Sequence, residues 1–446
     1  MTRPIRIGVQ LSAGGAPDNA TWRGTALIFK HCARAVGPCV AGLASLLLLA
    51  ACSGTTTTGD PVAAPSSETG RHVAVKAFDA PAAVPGTPAW TAWPSELHDA
   101  RHSGSATTAG PATGKIRWQR NLAGGVTEGA VAGADGTIYV ASDAGILHAI
   151  DPSTGKDRWT YDAHATTRTD LSVSPLVLPD GIILYPTPVA RLDALSPAGR
   201  LLWTQSLPAK PTSPVTATGK RVYVGDDSGA VSAIDVRPGG GHKLAWTVKT
   251  GAQSYASVVT DGAGRVYTTS GSSLVAIDDH GATADIAWRA DPHDGQVEVS
   301  PGLAPDGTVV LGTNGSNEWG YHPDGKLAWR AGSRATTYSS PAVAHSGLAY
   351  VGDHKSRVHV YDVRTGTEVA TYKLGRRTEI WSSTVVDKDY RVYFADQTNH
   401  VYGLSPAGVV LFDVSLGAPV DAYPALTADG ALIIGTSNGT LVAIGS

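Results

Sequence analysis

Residues 149–159 have the sequence AIDPSTGKDRW, and variants of this stretch recur along the chain about every forty residues. Each variant follows a short apolar segment and most pass through a Gly turn before ending on an aromatic residue. The aromatic residues of the series are Trp118, Trp159, Trp203, Trp246, Trp288, Trp329, Tyr372 and Phe412. This period, with four short strands in each unit, is typical of a β-propeller, in which no blade can bury its faces without neighbours.

The units also share a residue-level register. Nine residues before the middle of each predicted second strand, the units have Ala130, Pro175, Pro214, Val258, Pro301, Pro341, Thr384 and Pro424, and Ser precedes this position in most of them. Proline lacks a backbone N–H, so it is tolerated where a strand edge needs no donor, as on a short innermost strand. The register therefore predicts eight equivalent units, each beginning with such a strand.

The last unit has no fourth strand before the chain ends at Ser446, whereas residues 114–120 (GKIRWQR) resemble a fourth strand with no strands before it. We expect this N-terminal strand to complete the last blade, because a ring closed by both termini leaves no open sheet edge. The predicted fold class is all-β: an eight-bladed β-propeller of four-stranded antiparallel blades, closed by pairing of the N- and C-terminal strands.

The motif at residues 149–159 resembles the tryptophan-docking motif Ala-x-Asp-x-x-x-Gly-Lys-x-x-Trp of the PQQ-like (quinoprotein-type) β-propeller repeat lipoproteins. This family includes the propeller lipoprotein of the outer-membrane β-barrel assembly machinery. The resemblance covers about residues 93–446, including the segment WPSELHDARHSG at residues 93–104. It implies a structural docking role, stacked between neighbouring blades, for Trp118, Trp159, Trp203, Trp246, Trp288 and Trp329.

The N-terminal part of the chain has the features of a lipoprotein leader. An apolar run at residues 35–51 follows several basic residues and ends in Leu-Ala-Ala before Cys52. This arrangement is typical of a signal peptide whose cleavage leaves a cysteine for lipid attachment; an internal membrane anchor is the alternative. We predict a signal peptide over 1–51, a flexible Thr/Ala/Pro-rich tether over 52–92 and a PQQ-like propeller over 93–446. The true start codon and the presence of an outer membrane in the host stay open.

Composition limits the partners and the chemistry. The chain has 35 Lys and Arg against 38 Asp and Glu without a basic stripe, so we expect no nucleic acid partner. The other two of its 3 cysteines lie in the predicted leader, which predicts a mature chain with no disulfide and no thiolate metal site. Neither a His-Glu-x-x-His nor a Gly-x-Ser-x-Gly motif is present. We therefore assign no catalytic residue and no metal ligand.

Departures from the repeat mark the candidate site. Three residues before the Pro position, units four to eight have Tyr255, Glu298, Tyr338, Trp381 and Asp421, whereas units one to three have Thr127, Ser172 and Pro211; Glu379 lies nearby. If these positions face one mouth of the channel, a half-ring of aromatic and acidic side chains could stack a sugar or a cation and hold it with carboxylates. The alternative is that the rings fill gaps between blades and the acids are solvated.

Three functions are compatible with these features. We favour a non-catalytic, membrane-anchored extracytoplasmic lipoprotein, whose monomeric propeller serves as a scaffold for envelope or cell-surface proteins or binds a sugar or other small ligand. No cofactor is expected for it. The first alternative is a quinoprotein dehydrogenase, for which the resemblance implies PQQ and Ca²⁺, although the chain has no adjacent cysteines. The second is a carbohydrate-binding surface protein, which as a carbohydrate-cleaving enzyme would require paired carboxylates.

Overall fold

The computed structural model describes residues 93–164, 173–237, 240–253 and 255–445. These residues form thirty-two strands arranged as eight four-stranded antiparallel sheets of a β-propeller, so the predicted fold class is confirmed. The predicted signal peptide and tether, and with them Cys52, lie outside the described residues. The described part of the chain contains no helix long and apolar enough to cross a membrane.

Strand β1 (Ile116–Asn121) comes first in the chain and belongs to the last blade. Blade 1 consists of β2 (Val131–Ala132), β3 (Ile138–Ala141), β4 (Ile146–Ile150) and β5 (Asp157–Asp162). Blade 2 consists of β6 (Leu176–Val177), β7 (Ile183–Thr187), β8 (Arg191–Leu195) and β9 (Leu201–Ser206). Blade 3 consists of β10 (Thr216–Thr218), β11 (Arg221–Gly225), β12 (Ala230–Arg237) and β13 (Gly241–Lys249). Blade 4 consists of β14 (Val259–Thr260), β15 (Arg265–Ser270), β16 (Ser273–Asp279) and β17 (Ala284–Ala290).

The remaining blades follow the same order. Blade 5 consists of β18 (Gly302–Leu303), β19 (Val309–Gly312), β20 (Asn317–Tyr321) and β21 (Leu327–Gly332). Blade 6 consists of β22 (Ala342–Val343), β23 (Leu348–Gly352), β24 (Arg357–Asp362) and β25 (Glu368–Lys373). Blade 7 consists of β26 (Val385–Val386), β27 (Val392–Ala395), β28 (His400–Leu404) and β29 (Val410–Ser415). Blade 8 consists of β30 (Ala425–Leu426), β31 (Leu432–Gly435), β32 (Thr440–Ile444) and β1.

Both ends of the described chain contribute to blade 8. Its strand order is β30, β31, β32 and β1, and β1 pairs antiparallel with β32 through Trp118 opposite Ala443 and Asn121 opposite Thr440. The predicted closure is thus confirmed. It supplies the last blade with the outer strand that the C-terminal repeat lacks, so the sheets form a closed ring instead of an open array.

The repeated aromatic residue connects each blade to the next. Trp118 Nε1 donates a hydrogen bond to the carbonyl oxygen of Pro152 in blade 1 at 2.7 Å, and Trp329 Nε1 donates to that of Val363 in blade 6 at 2.6 Å. A Cβ built on Gly155 would come within 2.7 Å of the Trp118 ring. The glycine of the motif therefore has a steric reason: the ring from the preceding blade occupies the space of a side chain.

Two docking positions depart from this pattern because their partner motifs differ. Trp246 Nε1 donates to the carboxylate of Asp279 at 3.0 Å instead of to a carbonyl oxygen. Among the described residues, Trp203 Nε1 has no hydrogen-bond partner, and its ring stacks on His242 at 4.2 Å between centroids. His242 lies on β13 of the next blade, so an aromatic stack is found there instead of the hydrogen bond.

The serine before the Pro position links the innermost strands around the ring. The backbone N–H of Ser257 donates to Ser300 Oγ at 2.9 Å, that of Ser300 to Ser340 Oγ at 3.0 Å, and that of Ser340 to Ser383 Oγ at 3.0 Å. Each serine thus satisfies a backbone donor of the preceding blade. Because these donors are buried, the repeated Ser has a structural reason independent of any ligand.

Residues 93–106, which we call the plug, close one end of the central channel. The carbonyl oxygens of Trp93 and Ala100 accept hydrogen bonds from the backbone N–H groups of Ala132 (2.7 Å) and Thr260 (2.9 Å). Further bonds of this kind join Pro94 to Val177, Arg101 to Leu303 and Gly104 to Val386. The plug therefore satisfies donors on the axis-facing edges of the innermost strands in blades 1, 2, 4, 5 and 7.

The plug also explains the repeated proline. Val177 donates its N–H to the plug, and Pro175 lies two residues earlier on the same strand, so both nitrogens belong to the same edge. At Pro175 no donor is needed, which is the condition that the sequence pattern predicts. Inside the plug, Asp99 accepts hydrogen bonds from the N–H groups of Arg101 and Ser103, and burial lowers the pKa of His102 to about 4.

We expect Gly366→Ala to destabilise the ring more than Gly281→Ala. Both glycines have positive φ, 68° and 88°, where an L-residue costs about 1–2 kcal/mol. Only at Gly366 would the new Cβ lie 2.7 Å from the Trp329 ring, whereas nothing lies within 4 Å of it at Gly281. Overpacking adds about 1–3 kcal/mol. Urea unfolding followed by tryptophan fluorescence measures both losses, and equal losses would contradict the steric role.

Candidate functional site

The predicted half-ring of aromatic and acidic residues, which we also call the arc, lies at the end of the propeller opposite the plug. These residues precede the innermost strands, whereas the plug bonds to the last residues of several of those strands. Blades 4 to 8 each provide one of them, and together they define what we call the acidic mouth: Tyr255, Glu298, Tyr338, Trp381 and Asp421. Thr127 and Pro211 occupy the equivalent places in blades 1 and 3, and Ser172 lies outside the described residues.

Three rings pack together on one side of the mouth. The Tyr338 and His354 rings stack with centroids 4.9 Å apart, and the His354 and Trp381 rings lie 5.5 Å apart and nearly parallel, at 8°. Tyr338 and Trp381 also lie 5.5 Å apart. These separations are those of attractive ring pairs. We call the three residues the collar; it joins blades 6 and 7.

Hydrogen bonds hold the acidic side chains beside the collar. Trp381 Nε1 donates to Glu379 Oε2 at 2.9 Å. Gln397 donates its side-chain amide to Asp421 Oδ1 at 2.7 Å and its backbone N–H to the carbonyl oxygen of Glu379 at 3.0 Å. The structure therefore brings Glu379, Trp381 and Asp421 into one bonded group, which gives the mouth fixed acceptors between blades 7 and 8.

The other half of the mouth is joined electrostatically. Burial raises the pKa of Tyr255 and of Tyr338, and the negative charge of Glu298 contributes to both increases. Glu298 also shares a hydrogen bond with Tyr338. The five mouth residues and Glu379 thus lie near one another, with Glu298 interacting with both tyrosines. Tyr255 is 38% exposed and so presents its ring to solvent.

The sequence analysis did not identify His354, the middle ring of the collar. His354 lies in the turn after β23, and its backbone N–H donates to the carbonyl oxygen of Thr336 at 3.1 Å. The equivalent turn residues Asn314 and Gln397 make the same bond to Gln296 and Glu379. The sequence did contain a signal for His354. The residue at this position, directly after each second strand, varies among the blades, as the residues of the half-ring do. Burial lowers the pKa of His354, which favours the neutral ring.

Glu96 of the plug lies below the mouth. Its Oε1 accepts a hydrogen bond from Ser257 Oγ at 3.2 Å, and burial together with Glu128 raises its pKa well above the ordinary value. Tyr423 completes this group: burial raises its pKa, and Glu128, Glu96 and Asp421 each add to the increase. The carboxyl groups thus continue from the mouth down toward the plug. The sequence analysis did not single out Glu96.

A second buried carboxyl group, that of Glu318, lies next to Thr337, the residue before the collar residue Tyr338. Glu318 on β20 is fully buried, and burial raises its pKa to about 8, while Thr337 and His359 act in the opposite direction. The other seven blades have an apolar residue at its position: Leu147, Leu192, Val231, Leu274, Val358, Val401 and Leu441. That contrast within the repeat is the signal that sequence reasoning could have used. Thr337 precedes Tyr338, so the buried acid lies directly under the collar.

We expect Glu318→Gln to remove part of the pH dependence of stability. Burial raises the pKa of Glu318 in the folded state to about 8, above the ordinary value of 4.5 for a glutamate in water. Its protonation therefore favours the folded state below about pH 4.5, and this contribution is lost as the pH rises through about 8. The variant should be more stable than the wild type at about pH 9, and its stability should change less between about pH 5 and pH 9. Urea unfolding at both values tests this.

The matched control is Glu379→Gln, which removes an exposed carboxylate and should leave the pH profile close to that of the wild type. If Glu318→Gln shows the same fall in the free energy of unfolding as the wild type between the two pH values, Glu318 is not the group responsible.

Within the described residues, no three His, Cys, Asp or Glu side chains are grouped so that they could hold a metal ion. The mouth instead combines aromatic faces with carboxylates. Chemically, this arrangement can accept hydrogen bonds, stack against a flat or apolar group and attract positive charge.

Comparison with known families gives a match over most of the propeller. The family model described as "Outer membrane protein assembly factor BamB" matches residues 102–187, 187–340 and 244–446. Together these ranges include every blade. The match begins inside the plug and continues to the C-terminal residue.

Among curated proteins, outer membrane protein assembly factor BamB of Moranella endobia (strain PCIT) is 27% identical over 275 residues, which are 60% of this chain and 58% of that protein. The BamB of Yersinia pestis is 24% identical over 327 residues, 68% of this chain and 70% of that protein. Serine/threonine-protein kinase AfsK of Streptomyces griseus is 33% identical over 149 residues, 31% of this chain and 18% of the kinase. The aligned regions thus span little more than half of the first protein and less than a fifth of the kinase.

Solved structures share the fold at low sequence identity. BamB from Moraxella catarrhalis has a TM-score of 0.62 and 14% identity, with 74% of this chain and 99% of that chain covered. Quinohemoprotein alcohol dehydrogenase from Comamonas testosteroni has a TM-score of 0.65 and 15% identity, with 80% and 81% covered. Because one ring serves both an assembly factor and an oxidoreductase, these similarities establish architecture alone.

Proposed function

Because the chain belongs to the PQQ-like propeller family described as outer membrane protein assembly factor BamB, we propose that it is a non-catalytic, extracytoplasmic scaffold for envelope or cell-surface proteins. Its relatives of that name are assembly factors. The protein acts as a monomer that presents one end of its ring to partners.

The observation that carries this proposal is the difference between the two ends of the ring. The plug occupies one end, where its backbone hydrogen bonds to five blades cover the innermost strands. The other end carries the collar, the hydrogen-bonded carboxylates and the exposed ring of Tyr255. A concave surface with fixed aromatic and charged groups is suited to partner recognition, because aromatic residues are the common anchors of protein interfaces.

Membrane attachment is the second part of the proposal. The apolar run at residues 35–51 and the Leu-Ala-Ala before Cys52 support cleavage at Cys52 and attachment of lipid to its thiol. A tether over 52–92 would then hold the propeller away from the bilayer. The scaffold would be displayed on the outer side of the membrane that carries it.

We expect Cys52→Ala to abolish lipid labelling and to release the protein from the membrane fraction. The thiol is the attachment point, so its loss removes the acyl chains that provide affinity for the bilayer. Metabolic labelling with a fatty acid analogue, followed by fractionation of cells, measures both effects. Ser53→Ala is the control and should remain labelled. If Cys52→Ala is processed and retained like the wild type, the lipoprotein assignment is wrong.

We expect cross-linking of the full-length protein in its native envelope to capture a reproducible set of membrane or surface proteins. A photoreactive amino acid at Tyr255 probes the mouth, and one at Ile116, on the outer strand of blade 8, serves as an equally exposed control, since the two residues are 38% and 37% exposed. Enrichment of the same proteins at Tyr255 but not at Ile116, measured by mass spectrometry, supports a scaffold that uses its mouth. Capture of no protein at either position would contradict the scaffold.

The charges of the mouth disfavour the quinoprotein alternative. PQQ is a tricarboxylate, and the mouth and the group below it contain the carboxyl groups of Glu298, Glu379, Asp421, Glu96 and Glu128. Like charges in a concave site repel. Trp381 stacks on His354 and Tyr338, so the protein's own rings cover part of its surface. These residues do not fit PQQ, and we derive no reaction through it.

A further inference from the structure

The carboxyl group of Glu96 lies near the axis of the ring, below the mouth. Its Oε1 accepts a hydrogen bond from Ser257 of blade 4, and it interacts with Ser174 of blade 2 and with Glu128 beside blade 1. A group that meets three blades on different sides of the ring can lie only close to the axis. Ser174, whose hydroxyl lowers the pKa of Glu96, also donates to the carbonyl oxygen of Gly129 at 3.0 Å. Among the described residues, Glu96 Oε2 has no hydrogen-bond partner although Glu96 is only 2% exposed.

A buried polar oxygen without a hydrogen-bond partner costs about 1–3 kcal/mol, so Glu96 Oε2 indicates a position where another molecule can supply a partner. The charges around it point the same way. The charged side chains that contribute most to the pKa shifts of Tyr255, Tyr338, His354 and Tyr423 are carboxyl groups: Asp227, Glu298, Glu379, Asp353, Glu128, Glu96 and Asp421. Of these, Asp353 pairs with Arg357 and His359. A concave surface lined by one sign of charge concentrates the opposite charge.

Basic side chains of the neighbouring loops have other partners. Lys249 donates to Ser228, Lys355 donates to the carbonyl oxygen of Arg334, and Arg376 pairs with Asp413. The carboxylates of the mouth are therefore not neutralised by these three cations.

The collar indicates what kind of cation fits. A small inorganic cation would use carboxylates and leave the aromatic faces of Tyr338 and Trp381 without a role. An alkylammonium or guanidinium group interacts with both. The collar residue Tyr338 lies two residues before Ser340. Ser340 occupies in blade 6 the position that Ser257, which contacts Glu96, occupies in blade 4. Two residues span at most about 7 Å, a distance that the methylene stem of a lysine or arginine can bridge.

We propose that the acidic mouth binds the cationic end of a lysine or arginine side chain that a partner polypeptide inserts along the ring axis. Its methylene stem packs against the collar, and its charge lies between Glu379, Asp421 and Glu96. The inference rests on the proposed scaffold function, since it names what the partner presents. A free organic amine shares this chemistry, and the experiment separates the two sources.

Isothermal titration calorimetry of the whole protein at low salt tests the proposal with defined probes. These are acetylated and amidated Ala-Lys-Ala and Ala-Arg-Ala, the neutral peptide Ala-Gln-Ala, putrescine and calcium chloride. We expect the two basic peptides to bind and Ala-Gln-Ala to show no saturable heat. Trp381→Ala and Glu379→Gln should each weaken binding of the basic peptides by about tenfold, equivalent to about 1.4 kcal/mol.

Glu96→Gln tests the carboxyl group that lies below the mouth, near the axis of the ring. The amide oxygen retains the acceptor for Ser257 while the acidic oxygen is lost, so we expect weaker binding of the basic peptides. Because burial raises the pKa of Glu96, the variant should be no less stable than the wild type at neutral pH. Trp381→Phe should restore most of the affinity lost in Trp381→Ala, because it keeps an aromatic face. Asp285→Asn is the matched control: Asp285 is an exposed acid on the outer strand β17, far in register from the mouth, and its loss should not affect binding.

Several outcomes would overturn the proposal. Equal binding of Ala-Gln-Ala, or equal loss in Asp285→Asn, would show that the charge of the mouth is not used. Binding of calcium alone would assign the site to an inorganic cation, and binding of putrescine without either basic peptide would exclude the polypeptide source. Saturable binding of a neutral oligosaccharide, with no binding of the basic peptides, would favour a carbohydrate site.

The experiments distinguish failure of the lysine or arginine site from failure of the proposed scaffold function. If the proteins cross-linked at Tyr255 are captured equally by the double variant Glu96→Gln, Glu379→Gln, the scaffold stands and the lysine or arginine site is wrong. If the basic peptides bind but no protein is cross-linked in the envelope, the chemistry of the mouth is supported and the scaffold function is contradicted.

Discussion

Contact between neighbouring sheets is the constraint on which the rest of this structure depends. The second and third strands of every blade are buried almost throughout, so a single blade could not stay in water with both faces exposed. Trp118 and Trp329 show how the contact is made specific, because each ring takes the space above a glycine of the next blade. A ring built this way must close, and β1 closes it by joining the last three strands of the chain.

Closure creates a second requirement along the axis. The innermost strands point one backbone edge into the channel, where donors without partners would be costly. Residues 93–106 supply acceptors for those donors at one end, and the Pro positions remove donors that the plug does not reach. The two ends of the ring are therefore unlike. The end that the plug leaves uncovered carries the collar and the hydrogen-bonded carboxylates of the mouth.

The repeat made much of this predictable. Blade number, strand order and closure followed from the spacing of aromatic residues and from Pro175 and its equivalents, because a structural position repeated eight times leaves a pattern in one chain. The arc was also predictable, since Tyr255 and Trp381 occupy one register position and differ from the small residues of blades 1 and 3. Their closeness in space follows from the ring, which places equivalent positions side by side around one axis.

Other residues of the site were harder to predict, because they belong to a segment outside the repeat or differ from the repeat in a single blade. Glu96 belongs to a segment without counterparts in the blades, so no internal comparison indicated that its carboxyl reaches the axis. His354 comes from the turn after a second strand, a position whose residue varies among the blades, but only the structure shows that its ring stacks between Tyr338 and Trp381. Glu318 was visible as one acid among apolar residues, but its burial under the collar depends on how blade 6 packs on blade 5.

By itself, the sequence determined the architecture: eight sheets, their order, their closure and the positions where side chains differ from the repeat. These properties depend on local strand propensity and on a periodic choice between apolar, small and aromatic residues, which are properties of short stretches of chain. Only the tertiary structure decided which end of the ring is open, which rings stack and where carboxyl groups accumulate. Those results depend on contacts between residues as distant in sequence as Glu96 and Ser257, which become neighbours only when the ring has closed around the plug.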